Sequence, residues 1–413
     1  MKIVVQKFGG TSVDGAERIR NVARWIIERK HEGYSVCAVV SAPGDMTDRL
    51  INMAYEISKN PPPREMDMLL STGERISIAL LCMALHEMGE EAVSFTGSQA
   101  GIITDTSHTK ARILEIKADR VLDALKKGKI AVVAGFQGVS VDKDVTTLGR
   151  GGSDTTAVAL AVRLGAEYCE IFTDVEGVYT ADPRVVPGAK KLDLVSYEEM
   201  LEMAATGAKV LNARSVEFGR VYKMPILVRS SFTRASGTWV REVPENMERP
   251  VITAVTYDRG ESKITIREVP DKPGVAARIF SYLANNNINI DMIIQNISDE
   301  GTTDISFTVS KEDTDIAYRL SENIARELGA GAVEVDRNIA KVSLIGAGMR
   351  THPGVAAKMF AALAEKGINI EMISTSPIKI SVVIREDRVE EAVRAVHDAF
   401  LLKDDQVYEE REI

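Results

Sequence analysis

At 413 residues the chain exceeds what one hydrophobic core usually supports, so two or three domains are expected. Its composition, 45% hydrophobic and 27% charged, is that of an ordinary soluble globular protein, and a net charge of -9 argues against nucleic acid or an anionic membrane as the main partner. An anionic substrate must therefore be held by a few local cations. Cys37, Cys82 and Cys169 are far apart, odd in number and without CxxC spacing, which reads as buried reduced thiols in a cytosolic protein. The five histidines lack ligand spacing, and His31, His86 and His397 fall on charged helical faces that read as solvated. No segment reads as apolar for long enough to span a bilayer, and Lys7 comes too early for a signal peptide.

The β-branched run Ile3, Val4, Val5 predicts a first strand, which the Gly9-Gly10 pair ends before a helical pattern starts near Asp14. A strand feeding a glycine turn and a helix N-terminus suits a phosphate, and Lys7 adds a cation. The same pattern also occurs at ordinary αβ junctions. Thr11 and Ser12 can cap the helix or donate to a phosphate oxygen. Residues 16–30 read as an amphipathic helix and 35–41 as a second buried strand. That strand runs into a turn, Ser41-Ala42-Pro43-Gly44-Asp45, closely followed by Thr47. A helix over 48–58 ends at three prolines, and a long helical pattern follows over 65–88 with STGERIS near its start. Glu74 sits there among Leu69, Leu70, Ile76, Ile78 and Leu80, so burial would demand a partner, either Arg75 or a substrate ammonium.

After a short strand from Glu91 and a polar stretch to Asp119, residues 129–135 predict a third buried strand. Gly149, Gly151 and Gly152 then surround Arg150, with Ser153 and Asp154 opening an alanine-rich helix. This second glycine turn suits a carboxylate or phosphate; Asp154 reads as an N-cap or as the partner that orients Lys7. A fourth strand over 168–173 runs through Asp174 into GVYTADPR, a loop that suits a nucleotide or an ordinary turn. A helix over 196–210 is expected to carry Gly207 and Lys209, the latter a surface lysine or a second phosphate cation. Strands alternating with helices to about 230 predict a three-layer αβα fold with a mostly parallel sheet. Neither a Walker GxxxxGK[ST] nor a protein-kinase HRD or DFG string occurs.

Beyond an aperiodic stretch over 232–262 the chain repeats itself at an offset of 80: from Pro273 to Ile293, 13 of 21 positions are identical to the copy that starts at Pro353. That identity marks a duplication. Each copy reads strand, Pro-Gly turn, helix, strand and a further strand, over 304–309 in the first and 379–384 in the second. The expectation is two α+β units of βαββαβ type. The expected boundaries are a catalytic domain over 1–245, a linker and first regulatory strand over 246–262, and repeat domains over 263–337 and 338–413. The repeats resemble the ACT domain, a small-molecule sensor that usually pairs edge to edge; a plain dimerisation module is the compatible alternative.

KFGGTSV at Lys7, SAPGD with Thr47, STGER, GRGGSD, TDVEGVYTADPR and GAKVL, followed by two ACT-like repeats, together resemble the aspartokinases, of the monofunctional, concertedly regulated bacterial type. Related amino-acid kinases share the glycine turns but lack STGER and the paired tail. One departure is Pro43, where the pattern implies a residue such as methionine; proline stiffens that turn without removing its role. The resemblance implies transfer of the γ-phosphoryl group of MgATP to the side-chain carboxylate of L-aspartate, giving 4-phospho-L-aspartate, the first step of lysine, threonine and methionine biosynthesis and of the diaminopimelate route. It implies that Lys7, Asp154 and Lys209 are catalytic, and that Ser41, Thr47, Glu74, Arg150, Gly151, Gly152 and Ser153 hold the substrate. Lys7, Phe8, Gly9, Gly10, Thr11, Ser12, Thr173, Asp174, Tyr179, Asp182, Arg184, Lys209 and Val210 would hold the nucleotide, with Mg2+ carried on its phosphates and no metal ligands of the protein's own. Lysine and threonine would bind at Asp271, Gly274, Val275, Ala276, Asn289, Asp291 and Gln295 in the first repeat and at His352, Gly354, Asn369 and Glu371 in the second. A cytoplasmic homodimer through ACT pairing, or an α2β2 assembly with a regulatory chain started at Met247, completes the expectation. The rivals are an amino-acid sensor on an inactive kinase fold, which the set Lys7, Glu74, Arg150, Asp154 and Lys209 disfavours, and a kinase of glutamate or acetylglutamate. Glu74 disfavours an acetylated substrate, which has no ammonium.

Overall fold

The computed structural model describes residues 1–243, 251–295 and 301–401. It divides into two compact units, the first built from Met1–Tyr179, Lys191–Ala204 and the chain from Lys209 to the linker, the second from Thr180–Lys190, Ala205–Ala208 and the remainder.

In the first unit an eight-stranded sheet runs in the order Leu194–Val195, Thr238–Val240, Ile226–Ser230, Tyr168–Thr173, Lys2–Phe8, Tyr34–Val40, Ile130–Ala134, Ala92–Phe95. The last six are parallel; Thr238–Val240 runs antiparallel to Ile226–Ser230, and Leu194–Val195 lies parallel to it at the edge. Parallel strands buried on both faces read as near-continuous apolar runs, which is why YSVCAVV and IAVVA are visible in the sequence. Val4, Phe8, Val36, Ala38 and Val40 pack with Val22, Ile26, Leu81 and Leu85 from the helices Ala16–His31 and Thr72–Glu87. Alternation turns Lys7 to the other face, where the helix Gly152–Leu164 lies against the same strand. This is the expected αβα sandwich with a mostly parallel sheet.

A second, small sheet of Ile113–Ile116, Ile102–Thr104, Gln137–Ser140 and Val145–Thr147 falls where the sequence shows only polar chain and loop. Its strands are three or four residues long, too short for a periodicity to register. Three further expectations are corrected. The helix over 65–88 is two helices, Pro63–Leu70 and Thr72–Glu87, parted at Ser71, whose carbonyl accepts from buried Gln137 Nε2 at 2.9 Å. Taken as one stretch, Pro63–Glu87 has 25 residues and a mean hydropathy of 1.5, long and apolar enough to cross a membrane by length and composition, contrary to the reading of the sequence. Half of its most apolar stretch is buried, and it carries Asp67 and Glu74 into the protein core. The helix expected over 196–210 stops at Ala205, because Gly207 takes a φ of +112° where a side chain would run into the Tyr257 carbonyl.

The second unit holds two four-stranded antiparallel sheets, each backed by two helices. The first orders Ile293–Gln295, Thr302–Ser310, Glu261–Pro270 and Val333–Asp336, under the helices Val275–Asn285 and Thr314–Leu328. The second orders Ala254–Asp258, Ile339–Ile345, Lys379–Arg385 and Met372–Ser376, under Val355–Glu365 and Val389–Leu401. Its edge strand thus comes from ahead of the first repeat. Met292 and Met372, which correspond in the duplication, share one cluster with Ile339 and Val383. Reciprocal ion pairs flank them: buried Lys341 holds Asp291 and Glu261, while Lys263 holds Glu371. His397, expected on a solvated face, is fully buried, meets Thr180 Oγ1 at 3.0 Å, and has its pKa pushed down by that burial. Gly274 and Gly354 start corresponding helices at φ of +92° and +89°, with open space where a side chain would go. Gly354→Ala is therefore expected to lower stability by about 1–2 kcal/mol from backbone conformation alone, checked by urea unfolding.

Candidate active site

The strand Lys2–Phe8 delivers Lys7 to the glycine turn, and its ammonium lies 3.6 Å from where a side chain on Gly9 would begin. Gly10 is tightly held: an added Cβ would meet the Ala42 carbonyl at 2.7 Å, and the Gly10 carbonyl accepts from Gly44 N–H at 3.0 Å. The Gly9-Gly10 turn and the SAPGD turn are thus one backbone assembly, to which Phe8 adds a carbonyl that accepts from Ser41 N–H at 3.1 Å. The Phe8 ring is fully buried and stacked on Phe172 at 4.5 Å, so only the backbone of Phe8 is left to face the turn. Thr11 and Ser12 do not cap the following helix, which starts after Gly15 at φ +97°; the Ser12 hydroxyl is spent on Ser231 at 2.8 Å.

Asp154 projects from the first turn of Gly152–Leu164, with Oδ1 2.6 Å from Lys7 Nζ and both side chains close to nine-tenths buried. Its Oδ2 accepts from Asn212 N–H at 3.4 Å, and Asn212 Nδ2 donates to the Arg150 carbonyl at 3.2 Å. Gly151 at φ +72° occupies the N-cap, so Asp154 is the lysine's partner and not a cap. Ser153 is packed so closely on Gly135 that a side chain there would meet its hydroxyl at 2.7 Å. The Arg150 side chain is exposed.

Glu74 is 2% exposed, and its Oε1 accepts from the Ala42 N–H at 3.2 Å. Its Oε2 is buried without a partner, and Arg75 is exposed, so the salt bridge considered for the pair is absent. Desolvation pushes the Glu74 carboxyl up to about 7, against the pull of the backbone donors. Ser77 Oγ donates to the Ser41 carbonyl at 2.7 Å, which ties the helix of Glu74 to the turn carrying Ser41. Thr47 is half-buried in the helix that begins at Met46.

Lys209 lies in an exposed turn with Val210 beside it, not on a helix. Thr173 Oγ1 donates to Asp174 Oδ1 at 3.0 Å, and Tyr179 makes an isolated bridge to Lys191. Asp182 and Arg184 belong to the second unit, where they pair with each other at 2.8 Å and Tyr257 donates to Asp182 at 3.2 Å. Among the described residues no group of three or more His, Cys, Asp or Glu could hold a metal.

One buried residue carries no signal in the sequence. Asp67, fully buried in Pro63–Leu70, accepts from Thr147 Oγ1 at 2.5 Å, His108 Nδ1 at 2.7 Å and Thr109 N–H at 3.1 Å. It stands seven residues before Glu74 in no recognised motif, and its partners are remote in sequence. In the second unit a cavity of about 320 Å³ is lined by Asp271, Gly274, Val275, Ala276 and Gln295 among others. Asn289 lies outside that lining, Asp291 is spent on Lys341, and Glu371 on Lys263. His352 Nδ1 meets the Gly348 carbonyl at 2.8 Å, while Gly354 and Asn369 are exposed.

A parallel sheet that presents a lysine and two glycine turns at its strand ends defines an amino-acid kinase, and residues 2–230 match the amino acid kinase family, with residues 267–322 and 342–400 matching the ACT domain. The chain belongs to the aspartokinase family and is an ATP-dependent kinase. An aspartokinase of Mycolicibacterium smegmatis is 55% identical over 410 residues, covering 98% of this chain and 97% of that one. E. coli aspartokinase III, solved with aspartate and ADP in the R-state, superposes with a TM-score of 0.84 at 28% identity, covering 97% of this chain and all of that one. The same enzyme with lysine and aspartate in the T-state gives a TM-score of 0.74 at the same identity and coverage.

Proposed function

We propose that the protein transfers the γ-phosphoryl group of ATP to the β-carboxylate of L-aspartate, giving 4-phospho-L-aspartate, and that lysine and threonine feed back through the ACT repeats. The observation that carries the substrate is Glu74: a buried carboxylate oxygen without a partner suits an ammonium, which glutamate and aspartate have and acetylglutamate lacks. Arg150 would clamp the α-carboxylate, with Ser41, Thr47 and the Gly151–Ser153 backbone completing the pocket. The attacking carboxylate is ionised at neutral pH, so the reaction needs no general base. The barrier lies in bringing two anions together and in the charge on the transferring group.

Lys7, fixed by Asp154 over the Gly9-Gly10 turn, would stabilise that charge, with Lys209 holding the ATP phosphates and Asp174 and Tyr179 more of the nucleotide. Mg2+ would ride on the phosphates and water, neutralising part of their charge. The lined cavity beside the Pro-Gly turn supports an amino-acid effector in the first repeat. E. coli aspartokinase III, solved in complex with lysine and aspartate, supports lysine as an effector here. The pathway position, a cytoplasmic location and a dimeric or α2β2 assembly belong to the same reading; Met247 lies outside the described residues.

The test is an ATP- and Mg2+-dependent hydroxamate assay with L-aspartate, run with and without lysine plus threonine. Acyl phosphate suppressed by the pair is the expected result. Product without suppression removes the effector assignment, and no product from aspartate removes the reaction.

A further inference from the structure

The Asp67 cluster is built like a joint. All its donors come from other segments: His108 and Thr109 from the loop over 105–110, and Thr147 from the end of Val145–Thr147. An ionised carboxylate only accepts, so His108 Nδ1 carries the hydrogen. A filler of this space would be apolar, because a buried carboxylate is costly unless its oxygens are bonded, and here both are engaged. What the joint connects is specific. On one side the chain continues from Asp67 to Glu74, seven residues on, across the break at Ser71 whose carbonyl Gln137 holds. On the other it continues from Thr147 to Arg150 within three residues.

Neighbouring bonds tighten the same junction. Gln137 Nε2 holds the Ser71 carbonyl, Ala111 N–H donates to the Thr147 carbonyl at 2.9 Å, and Arg214 Nη1 donates to the carbonyls of Ala111 at 3.1 Å and Leu148 at 3.4 Å. A side chain on Gly149 would begin 3.2 Å from the Thr109 carbonyl, so the loop over 105–110 lies directly on the Arg150 turn.

We propose that Asp67 is a positioning residue that fixes the separation of Glu74 and Arg150, and through it the length of amino dicarboxylate the pocket accepts. The inference rests on the reading in which Glu74 takes the substrate ammonium and Arg150 a carboxylate. A shift of the Arg150 turn relative to Glu74 degrades a two-point grip on the amino acid while leaving the nucleotide's own contacts in place.

The test compares the full chain with Asp67→Asn and Thr147→Val in the hydroxamate assay, using L-aspartate and L-glutamate. In both variants KM for aspartate is expected to rise about tenfold with kcat and KM for ATP nearly unchanged, and the aspartate-over-glutamate ratio of kcat/KM to fall about tenfold. An unchanged ratio, or equal losses with aspartate and ATP, overturns the proposal. Should Asp67→Asn fail to fold, Thr147→Val, which keeps the carboxylate and removes one donor, decides by the same ratio. Wild-type chain that forms no acyl phosphate from aspartate overturns the underlying reading and this inference with it. Active wild type with variants of unchanged ratio overturns this inference alone.

Discussion

Lys7→Ala is expected to lower kcat by about 10²–10³-fold, the usual cost of deleting one preorganised group aimed at developing charge. KM for ATP should change by less than about threefold, because the ground-state phosphates keep the glycine-turn backbone and the other cations. The asymmetry follows from geometry. Asp154 holds the ammonium at 2.6 Å beside Gly9, so its position is set before substrate arrives. Steady-state kinetics with circular dichroism to verify folding is the check, and parallel loss of turnover and ATP affinity would sink the role.

Glu74→Gln is expected to raise KM for aspartate by about 10²-fold, the worth of a desolvated charge-assisted contact of about 3 kcal/mol. The substrate-free carboxyl sits near 7, so the wild-type enzyme meets aspartate with Glu74 protonated below that pH. Pairing with an ammonium requires the ionised form. Hence kcat/KM for aspartate should fall about tenfold per pH unit below about 7 and level off above it, whereas the Glu74→Gln variant should show a flat profile.

Stability carries the opposite sign. A folded-state pKa raised from 4.5 to about 7 means the folded chain binds the extra proton, so stability is full below 4.5 and declines as pH rises through 7, by about 3 kcal/mol. Glu74→Gln should erase that decline. Urea unfolding at about pH 5 and about pH 8 measures it, and an equal difference in both proteins would remove Glu74 as its source.

What the sequence discloses and what it hides divide along physical lines. Strands buried on both faces announce themselves as apolar runs, and the duplication survives in side chains that pack the repeats. Lys7 and Glu74 stand out because charge beside glycine, or amid leucines, needs a reason. Asp67 does not, because its donors lie 41 to 80 residues away and no local pattern records a contact at that range. His397 departs from expectation for a related reason: periodicity assigns a face but not the neighbour that covers it. Gly207 shows a third limit, since its helix stops on account of the carbonyl of Tyr257, far along the chain.

The strand Ala254–Asp258 completes the second repeat's sheet from ahead of the first, pairing with Ile339–Ile345. The first repeat is therefore nested inside the second, as a parenthesis sits inside a sentence. A cut between the two would orphan an edge strand, so the second repeat is whole only with chain from ahead of the first, whereas the first repeat's sheet is built from its own strands alone. The ends of the second sheet also cannot meet until the whole first repeat is gathered in between them, which makes that closure a slow, non-local event in folding. Duplication supplied two ACT repeats, and nesting makes the second close around the first.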